Sequence, residues 1–205
     1  MAIFGVLDKY KTIMTESNKK YYIWAIVVSA LLIFGVLFLI KIGLNQPKLK
    51  ELIMLVPTTV TIELVFVWFF TKWIWKWKIL HSWFVVTPDL SGKWKGYLHY
   101  VWNEMEDHRD TTVTIIQSFN HIVVKLGTLE SKSRSVAASF DIDERRNITD
   151  IYYTYINEPK VTIQERSKIH YGTAHLTFDL QNPTTLTGEY WTSRGTKGEM
   201  HLEKV

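Results

Sequence analysis

Residues 21–40 read YYIWAIVVSALLIFGVLFLI, twenty consecutive positions without a charged side chain. A second apolar run occupies residues 52–70, interrupted by the single charge of Glu63. Twenty helical residues span about 30 Å, the thickness of the hydrocarbon core of a bilayer. The alternative is a pair of buried soluble helices, but residues 21–40 are apolar on every side and little protein remains to cover them. We therefore predict an α-helical membrane hairpin.

Charge divides the chain at the same place. Residues 1–80 carry ten Lys and four acidic residues, whereas residues 81–205 carry fourteen Lys and Arg and sixteen acidic residues. The excess positive charge therefore belongs to the apolar part, which argues against binding of a DNA or RNA polymer by the remainder. We predict an amphipathic segment at 1–20, transmembrane helices at 21–43 and 51–76, and a soluble domain at 88–205.

The lysines around the two apolar runs predict an orientation. Seven lysines precede the first run or follow the second, and three lie between the runs. Because positive charge is retained on the cytoplasmic side, we expect both termini in the cytoplasm. The chain has no Cys, which is compatible with a reducing compartment.

Two features of the apolar part each leave two interpretations open. Glu63 lies near the middle of the second run, where a charge facing lipid is costly. It is either protonated and bonded within the hairpin, for instance to Thr59, or it serves helix association or a pore. Met1–Met14 gathers apolar side chains near one helical face, which indicates a helix lying in the membrane interface; a frayed terminus is the alternative.

From Pro88 onward the hydrophobic pattern has a period of two, with turn residues at short intervals. Eight successive short strands without a helical crossover predict an antiparallel up-and-down, lipocalin-like barrel, which leaves no exposed edge. A two-sheet sandwich is the alternative. The longest irregular stretch, 158–169, would cover one end. The predicted strands are 93–102, 111–119, 121–129, 133–142, 148–157, 170–180, 186–194 and 196–205.

Alternation along the strands separates inner from outer positions. In an up-and-down barrel, the ends of odd strands and the starts of even strands meet at one rim. This rim is predicted to be polar. The opposite rim is predicted to be apolar and plugged by Trp94, Phe119, Leu186 and Leu202, and the chain is expected to enter the barrel from the membrane at this apolar rim. The polar rim would therefore face away from the bilayer. Its predicted ligand-binding residues are Tyr100, Ser133, Ser135, Tyr153, Tyr155, Asn157, His170, Tyr190, Thr192, Arg194 and Thr196.

This polar rim suits a ligand with flat rings and an anionic group. Tyrosine stacks on bases, and arginine forms paired hydrogen bonds with phosphate. Arg194 is the one cation that the alternation places on the inner face. The alternative is that these polar groups satisfy one another at a wet end of the barrel.

The sequence contains no recognisable catalytic motif. G-x-S-x-G, H-E-x-x-H and a glycine-rich phosphate loop after a strand are all missing. The spacing of His99, Asp107 and His108 matches no common metal site. We therefore expect a binding protein rather than an enzyme, with no metal and no cofactor.

Spaced motifs follow one another through the soluble domain. Residues 89–96, DLSGKWKG, are similar to the opening of lipocalin-like barrels. The order of the motifs behind two apolar runs resembles the transmembrane β-barrel effectors of CBASS, a bacterial anti-phage defence. The motifs are Gly92-x-Trp94-x-Gly96, Ile115-x-Gln117, Ser131-x-Ser133-x-Ser135, Tyr153-x-Tyr155-x-Asn157-x-Pro159, His170-x-Gly172 and Leu186-x-Gly188-x-Tyr190-x-Thr192-x-Arg194-x-Thr196-x-Gly198.

The resemblance implies a signalling output. In that family the barrel binds a cyclic dinucleotide, the protein self-associates, and the bacterial inner membrane is disrupted, so that the infected cell dies. The implied partners are the cyclic dinucleotide, membrane lipids and further copies of the chain, and the implied location is multi-pass in the inner membrane. Two other classes stay open: a membrane-tethered carrier of a hydrophobic molecule, which would need an apolar mouth, and a scaffold that pairs only with another protein.

Overall fold

The computed structural model describes residues 16–44, 48–81, 84–102, 105–143 and 148–205. The predicted interfacial helix at Met1–Met14 lies outside these ranges. The described chain forms two compact units that divide between Trp77 and Lys78. The first unit is helical and the second is a β-barrel.

Two long helices make up most of the first unit. Segments 20–43 and 49–72 are each long and apolar enough to cross a membrane. Pro57 is tolerated because it lies in the first turn of its helix, where a backbone amide has no intrahelical partner. The elements are α1 (Glu16–Leu44), α2 (Leu49–Ile53), α3 (Leu55–Lys72) and a 3-10 turn at Ile74–Lys76.

Helices α1 and α3 pack against each other and leave their outer faces apolar and exposed. Leu31 on α1 is 66% exposed and Leu64 on α3 is 52% exposed. The side chains that α3 buries include Phe70, whose ring centroid lies 6.0 Å from that of Tyr22 on α1, and also Thr59 and Glu63. Broad apolar exposure on both helices is the surface expected where lipid replaces water.

The second unit begins with the short helix α4 (Lys78–His81) and continues as eight strands. Each strand pairs antiparallel with the next, and β8 pairs with β1 to close the barrel. The predicted eight-stranded up-and-down barrel is therefore confirmed. The strands are β1 (Gly92–Trp102), β2 (Met105–Ser118), β3 (His121–Gly127), β4 (Ser131–Asp143), β5 (Ile148–Pro159), β6 (His170–Thr177), β7 (Thr185–Thr192) and β8 (Lys197–Lys204).

The β1–β2 hairpin is longer than the sequence indicated. Trp102 pairs with Met105, so residues 105–110, which lie between the predicted strands 93–102 and 111–119, continue β2. The charged side chains of this segment do not show the alternation of a strand, although its backbone pairs with β1 along its whole length. As a consequence, the inner face of β2 extends beyond Thr111 to Arg109.

Apolar side chains plug one end of the barrel, as predicted. Trp94 and Leu202 are fully buried, and Phe119 and Leu186 are nearly so. The segment before β1 seals this end: Trp94 Nε1 donates a 2.9 Å hydrogen bond to the carbonyl of Leu90. Gln117 fixes the same segment, because its Oε1 accepts from the Leu90 amide at 2.9 Å and its Nε2 donates to the carbonyl of Pro88 at 2.8 Å. The Ile115-x-Gln117 motif thus has a structural role.

Candidate ligand-binding site

A cavity of about 350 Å³ lies at the other end of the barrel. This volume is within the range of small-molecule sites. Leu98 and Met200, which are register partners, line its inner part, and the loop between β5 and β6 contributes Ile163, Arg166 and Ser167 to its mouth. Residues 160–169 therefore lie over this end of the barrel as predicted, but Glu158 and Pro159, which were predicted to be irregular, belong to β5.

Ten of the eleven ligand-binding residues predicted from the sequence line this cavity. They come from five strands and from the turn between β7 and β8, so alternation and the rule of the shared rim together predicted the residues that line the cavity. Whether they contact a ligand stays a prediction. The ten are Tyr100, Ser133, Tyr153, Tyr155, Asn157, His170, Tyr190, Thr192, Arg194 and Thr196.

Ser135 is the exception, because its hydroxyl serves the backbone. Strands β3 and β4 share a short ladder, from Lys125 paired with Arg134 to Gly127 paired with Lys132. A bulge follows in β4 just after Ser135. Where the ladder stops, the Val124 amide donates a 2.9 Å hydrogen bond to Ser135 Oγ. The structure thus places Ser135 in the barrel wall and not in the cavity lining.

Three tyrosines give the cavity its aromatic surface. Tyr153, Tyr155 and Tyr190 are all at least nine-tenths buried, and the rings of Tyr153 and Tyr155 lie 5.9 Å apart. Burial raises the pKa of each phenol, that of Tyr190 to about 12, so all three stay neutral hydrogen-bond donors. Tyr153 lies deeper than the predicted rim, since its hydroxyl contacts Met200 Sδ at 3.7 Å.

Gly172 makes room for one of these rings. A Cβ atom at Gly172 would lie 2.4 Å from the hydroxyl and Cζ of Tyr155 and 2.9 Å from the carbonyl oxygen of Trp191. The Tyr155 ring therefore packs directly over the backbone of β6. This contact gives the His170-x-Gly172 motif a physical meaning: the glycine positions an aromatic surface beside the histidine.

Two threonine hydroxyls in the lining have no hydrogen-bond partner among the described residues. Thr192 Oγ1 and Thr196 Oγ1 are both buried, and Thr196 is 8% exposed. They flank the β7–β8 turn, where the Thr192 amide donates to the Thr196 carbonyl at 2.9 Å. A buried hydroxyl without a partner is unfavourable, so these groups are well suited to meet polar atoms of a ligand.

His170 presents a hydrogen-bond acceptor to the cavity. Its Nδ1 lies 2.8 Å from the carbonyl oxygen of Lys168, which can only accept, so Nδ1 carries the proton. Burial and the nearby Arg194 guanidinium lower the pKa of His170, which favours the neutral ring. The lone pair therefore lies on Nε2.

Three guanidinium groups surround the mouth. Arg194 was predicted, and the structure adds Arg109 on β2 and Arg166 on the loop. Alternation from Thr111 would have reached Arg109 if the charged segment before it had been taken as strand. Arg166, Ser167 and Glu130 lie on a loop or turn, where no periodicity marks inner positions, so they could not be recognised from the sequence.

Neighbouring side chains hold Arg109 in place. Its Nε donates to the Tyr100 hydroxyl at 3.1 Å, and that hydroxyl donates to Asp107 Oδ2 at 2.6 Å. The hydrogen bond from Tyr100, together with that from the His108 amide, lowers the pKa of Asp107. The carboxylate is thus ionised at neutral pH and keeps the Tyr100 hydroxyl turned so that its oxygen accepts from Arg109.

The site combines buried aromatic rings, unpartnered hydroxyls and clustered guanidinium groups, which is the chemistry of nucleotide recognition. Residues 85–204 match the family described as "Cap15, cyclic dinucleotide receptor domain". The chain belongs to the Cap15 family. It is 31% identical over 151 residues to the CD-NTase-associated protein 15 of Staphylococcus schleiferi, which covers 74% of this chain and 79% of that protein.

Membership of the Cap15 family confirms the resemblance to CBASS receptors of cyclic dinucleotides. The matched residues contain the whole barrel and therefore the whole cavity lining. Guanidinium groups are well suited to phosphates and tyrosine rings to bases, so the polar mouth and the aromatic interior offer the chemistry that such a ligand requires.

Proposed function

We propose that this chain is a membrane effector of CBASS immunity. A cyclic dinucleotide binds in the barrel cavity, the protein self-associates, and the helices disrupt the bacterial inner membrane, which kills the infected cell. The observation that carries the binding step is the arrangement of three guanidinium groups around a mouth whose interior is lined by buried tyrosines.

In this proposal the two ends of the cavity recognise different parts of the ligand. Phosphates meet Arg109, Arg166 and Arg194 at the mouth, where charge-assisted hydrogen bonds are strong. At least one base enters among the rings of Tyr155 and Tyr190. Its polar edge meets the Thr192 and Thr196 hydroxyls and the Nε2 acceptor of His170, which are the lining groups best able to distinguish one base from another.

The helical unit supplies the membrane half of the proposal. Two apolar segments, 20–43 and 49–72, are long enough to span, and the lysine distribution favours cytoplasmic termini. The barrel, which follows the second segment, would then lie in the cytoplasm, where a soluble second messenger reaches it. The proposed division is an interfacial segment (1–20), two spans (21–43 and 51–76) and a receptor domain (88–205).

Binding must change the association equilibrium for the ligand to act as a signal. A ligand shifts an equilibrium only through its difference in affinity for the two states. The assembled protein must therefore bind the dinucleotide more tightly than the isolated protein does. The loop at the cavity mouth is well placed to transmit this difference, because it lies beside the site and at the surface.

One experiment separates the proposal from its competitors. The full chain in detergent is mixed with cyclic di-AMP, cyclic di-GMP, cyclic GMP–AMP, a fatty acid or a phospholipid, and its melting temperature is measured. The same protein in dye-loaded vesicles is then tested for leakage. We expect a shift with at least one dinucleotide and leakage only in its presence. A shift with the lipids alone would support a carrier, and binding without leakage would refute the membrane step.

A further inference from the structure

Two arginines at the cavity mouth pair with an anion that belongs to the chain itself. Glu130 Oε2 accepts a hydrogen bond from Arg109 Nη1 at 2.5 Å, and Glu130 Oε1 accepts one from Arg166 Nη2. Each carboxylate oxygen thus engages a different arginine. A carboxylate that bridges two guanidinium groups uses the same donors that would bind a phosphate.

The turn between β3 and β4 holds Glu130 firmly in this position. Thr128 Oγ1 accepts from the amide of Glu130 at 3.3 Å and from the amide of Ser131 at 3.1 Å. The backbone carbonyl of Glu130 accepts from the amide of Lys160 at 2.8 Å. The backbone of Glu130 is therefore fixed beside the mouth, and its carboxylate is held by the two arginines.

The same contacts tie the mouth loop, residues 160–169, to the barrel. Arg166 joins the loop to Glu130, and Ser167 Oγ accepts from Arg194 Nη1 at 2.9 Å. Both side-chain ties use arginines that line the cavity. A phosphate that takes hydrogen bonds from Arg166 and Arg194 must therefore compete with the bonds that hold the loop.

We propose that Glu130 is an internal competitor of the ligand: it pairs with Arg109 and Arg166, and a phosphate has to displace it to bind both. The identity of the phosphate ligand rests on the proposed function, whereas the competition itself rests on the contacts of Glu130. Displacement has two consequences. It raises the ligand concentration needed for binding, and it breaks one of the two side-chain ties between the mouth loop and the barrel.

The test compares Glu130→Gln with Glu165→Gln in the full chain. Both variants lose one negative charge near the mouth, but Glu165 is exposed and does not line the cavity. We measure the affinity for inorganic pyrophosphate and for the three cyclic dinucleotides, and the hydrogen exchange of residues 160–169 without added ligand.

For Glu130→Gln we expect about three- to tenfold tighter binding of pyrophosphate and of whichever dinucleotide binds, with a steeper salt dependence, because the anion no longer has to displace a carboxylate. Loop exchange should be faster. Glu165→Gln should resemble the wild type in all of these measurements.

Weaker or unchanged anion affinity in Glu130→Gln would overturn the proposal, because Glu130 would then orient the arginines instead of competing for them. If no dinucleotide binds the wild type, the proposed function fails, and the pyrophosphate measurement still decides the competition. If Glu130→Gln does not fold, Arg166→Gln breaks the same tie from the exposed loop. Unchanged loop exchange in that variant would equally refute the tie.

Discussion

Ser29 on α1 donates a 2.7 Å hydrogen bond from Oγ to Oε1 of Glu63 on α3. The partner of Glu63 within the hairpin is therefore Ser29 and not Thr59, whose hydroxyl donates to the carbonyl of Leu55 at 2.9 Å. The other carboxyl oxygen, Glu63 Oε2, is buried without a hydrogen-bond partner among the described residues. One carboxyl oxygen thus bonds within the hairpin, and the proposed assembly would have to expose the other before a helix of another copy could meet it.

Glu63→Gln tests whether the Glu63 carboxyl group has a role in the proposed assembly. Glutamine keeps the shape and still accepts from Ser29, but it has neither the charge nor the carboxyl proton. If Glu63 Oε2 organises assembled helices, ligand-induced leakage from vesicles should fall while dinucleotide affinity stays at the wild-type value.

Ser29→Ala is the matched variant for Glu63→Gln. It removes the bond within the hairpin and keeps the carboxyl group, so it should loosen the hairpin without removing the group that is proposed to act in assembly. Wild-type leakage by Glu63→Gln would limit Glu63 to a role within one hairpin.

Arg194→Ala should weaken dinucleotide binding about tenfold. A charge-assisted hydrogen bond contributes about 1.5–3 kcal/mol, and Arg194 lies at an exposed position, so the lower end applies. Isothermal titration at two salt concentrations measures both the loss and the reduced salt dependence. Arg134→Ala is the control, because Arg134 is an exposed cation outside the cavity lining. Equal affinities for wild type and Arg194→Ala would place the phosphates elsewhere.

Thr196→Val should separate stability from binding. The Thr196 hydroxyl is buried without a partner among the described residues, so its replacement by a methyl group should raise the free energy of unfolding by about 1 kcal/mol. Ligand affinity should fall, because the same hydroxyl is proposed to contact the base.

The control for Thr196→Val is Thr111→Val. Thr111 is equally buried, but its hydroxyl donates to the Gly127 carbonyl at 3.1 Å. This substitution should therefore lower stability. Chemical denaturation and titration calorimetry on both variants give the comparison. If Thr196→Val bound the ligand as tightly as the wild type, its hydroxyl would have no part in recognition.

His170 should make the barrel less stable in acid. Burial and Arg194 lower its pKa below the ordinary value of 6.5, so the unfolded chain takes up the proton more readily than the folded one. The stability that the neutral ring contributes is present above pH 6.5 and is lost as the pH falls through the lowered folded pKa. Denaturation between pH 7.5 and about 5 should show a smaller loss for His170→Gln. Parallel curves for the two proteins would show that His170 does not titrate with folding.

The eight-stranded barrel and the position of its cavity were predictable, because both follow from the alternation of apolar and polar residues along the strands. Trp94, Tyr155 and Tyr190 face inward simply because of their places along a strand, and the up-and-down order decides which end each one approaches. Ser135 shows the limit of this argument. An extra residue in β4 shifts its register with β5, the ladder between β3 and β4 stops beside it, and a hydroxyl predicted to line the cavity bonds to a backbone amide instead.

The charged residues of the site were harder to predict from the sequence. Arg109 was hidden in a charged stretch that resembles a loop, since its strand pairing comes from backbone groups that leave no trace in the side-chain pattern. Glu130 and Arg166 are brought together from a turn and a loop 36 residues apart. No local rule connects such positions, and only the closed barrel shows that one carboxylate bridges a strand arginine and a loop arginine.

The closed barrel gives the site no symmetry. All eight strands around the cavity come from one chain, so no two lining residues are equivalent. A cyclic dinucleotide with two identical bases is itself symmetric, yet its two halves must meet different surroundings here. Such a ligand should show two sets of nucleotide resonances when bound. A ligand with two different bases or two different linkages has two inequivalent orientations in this cavity. An asymmetric cavity of this kind can favour one of these orientations over the other.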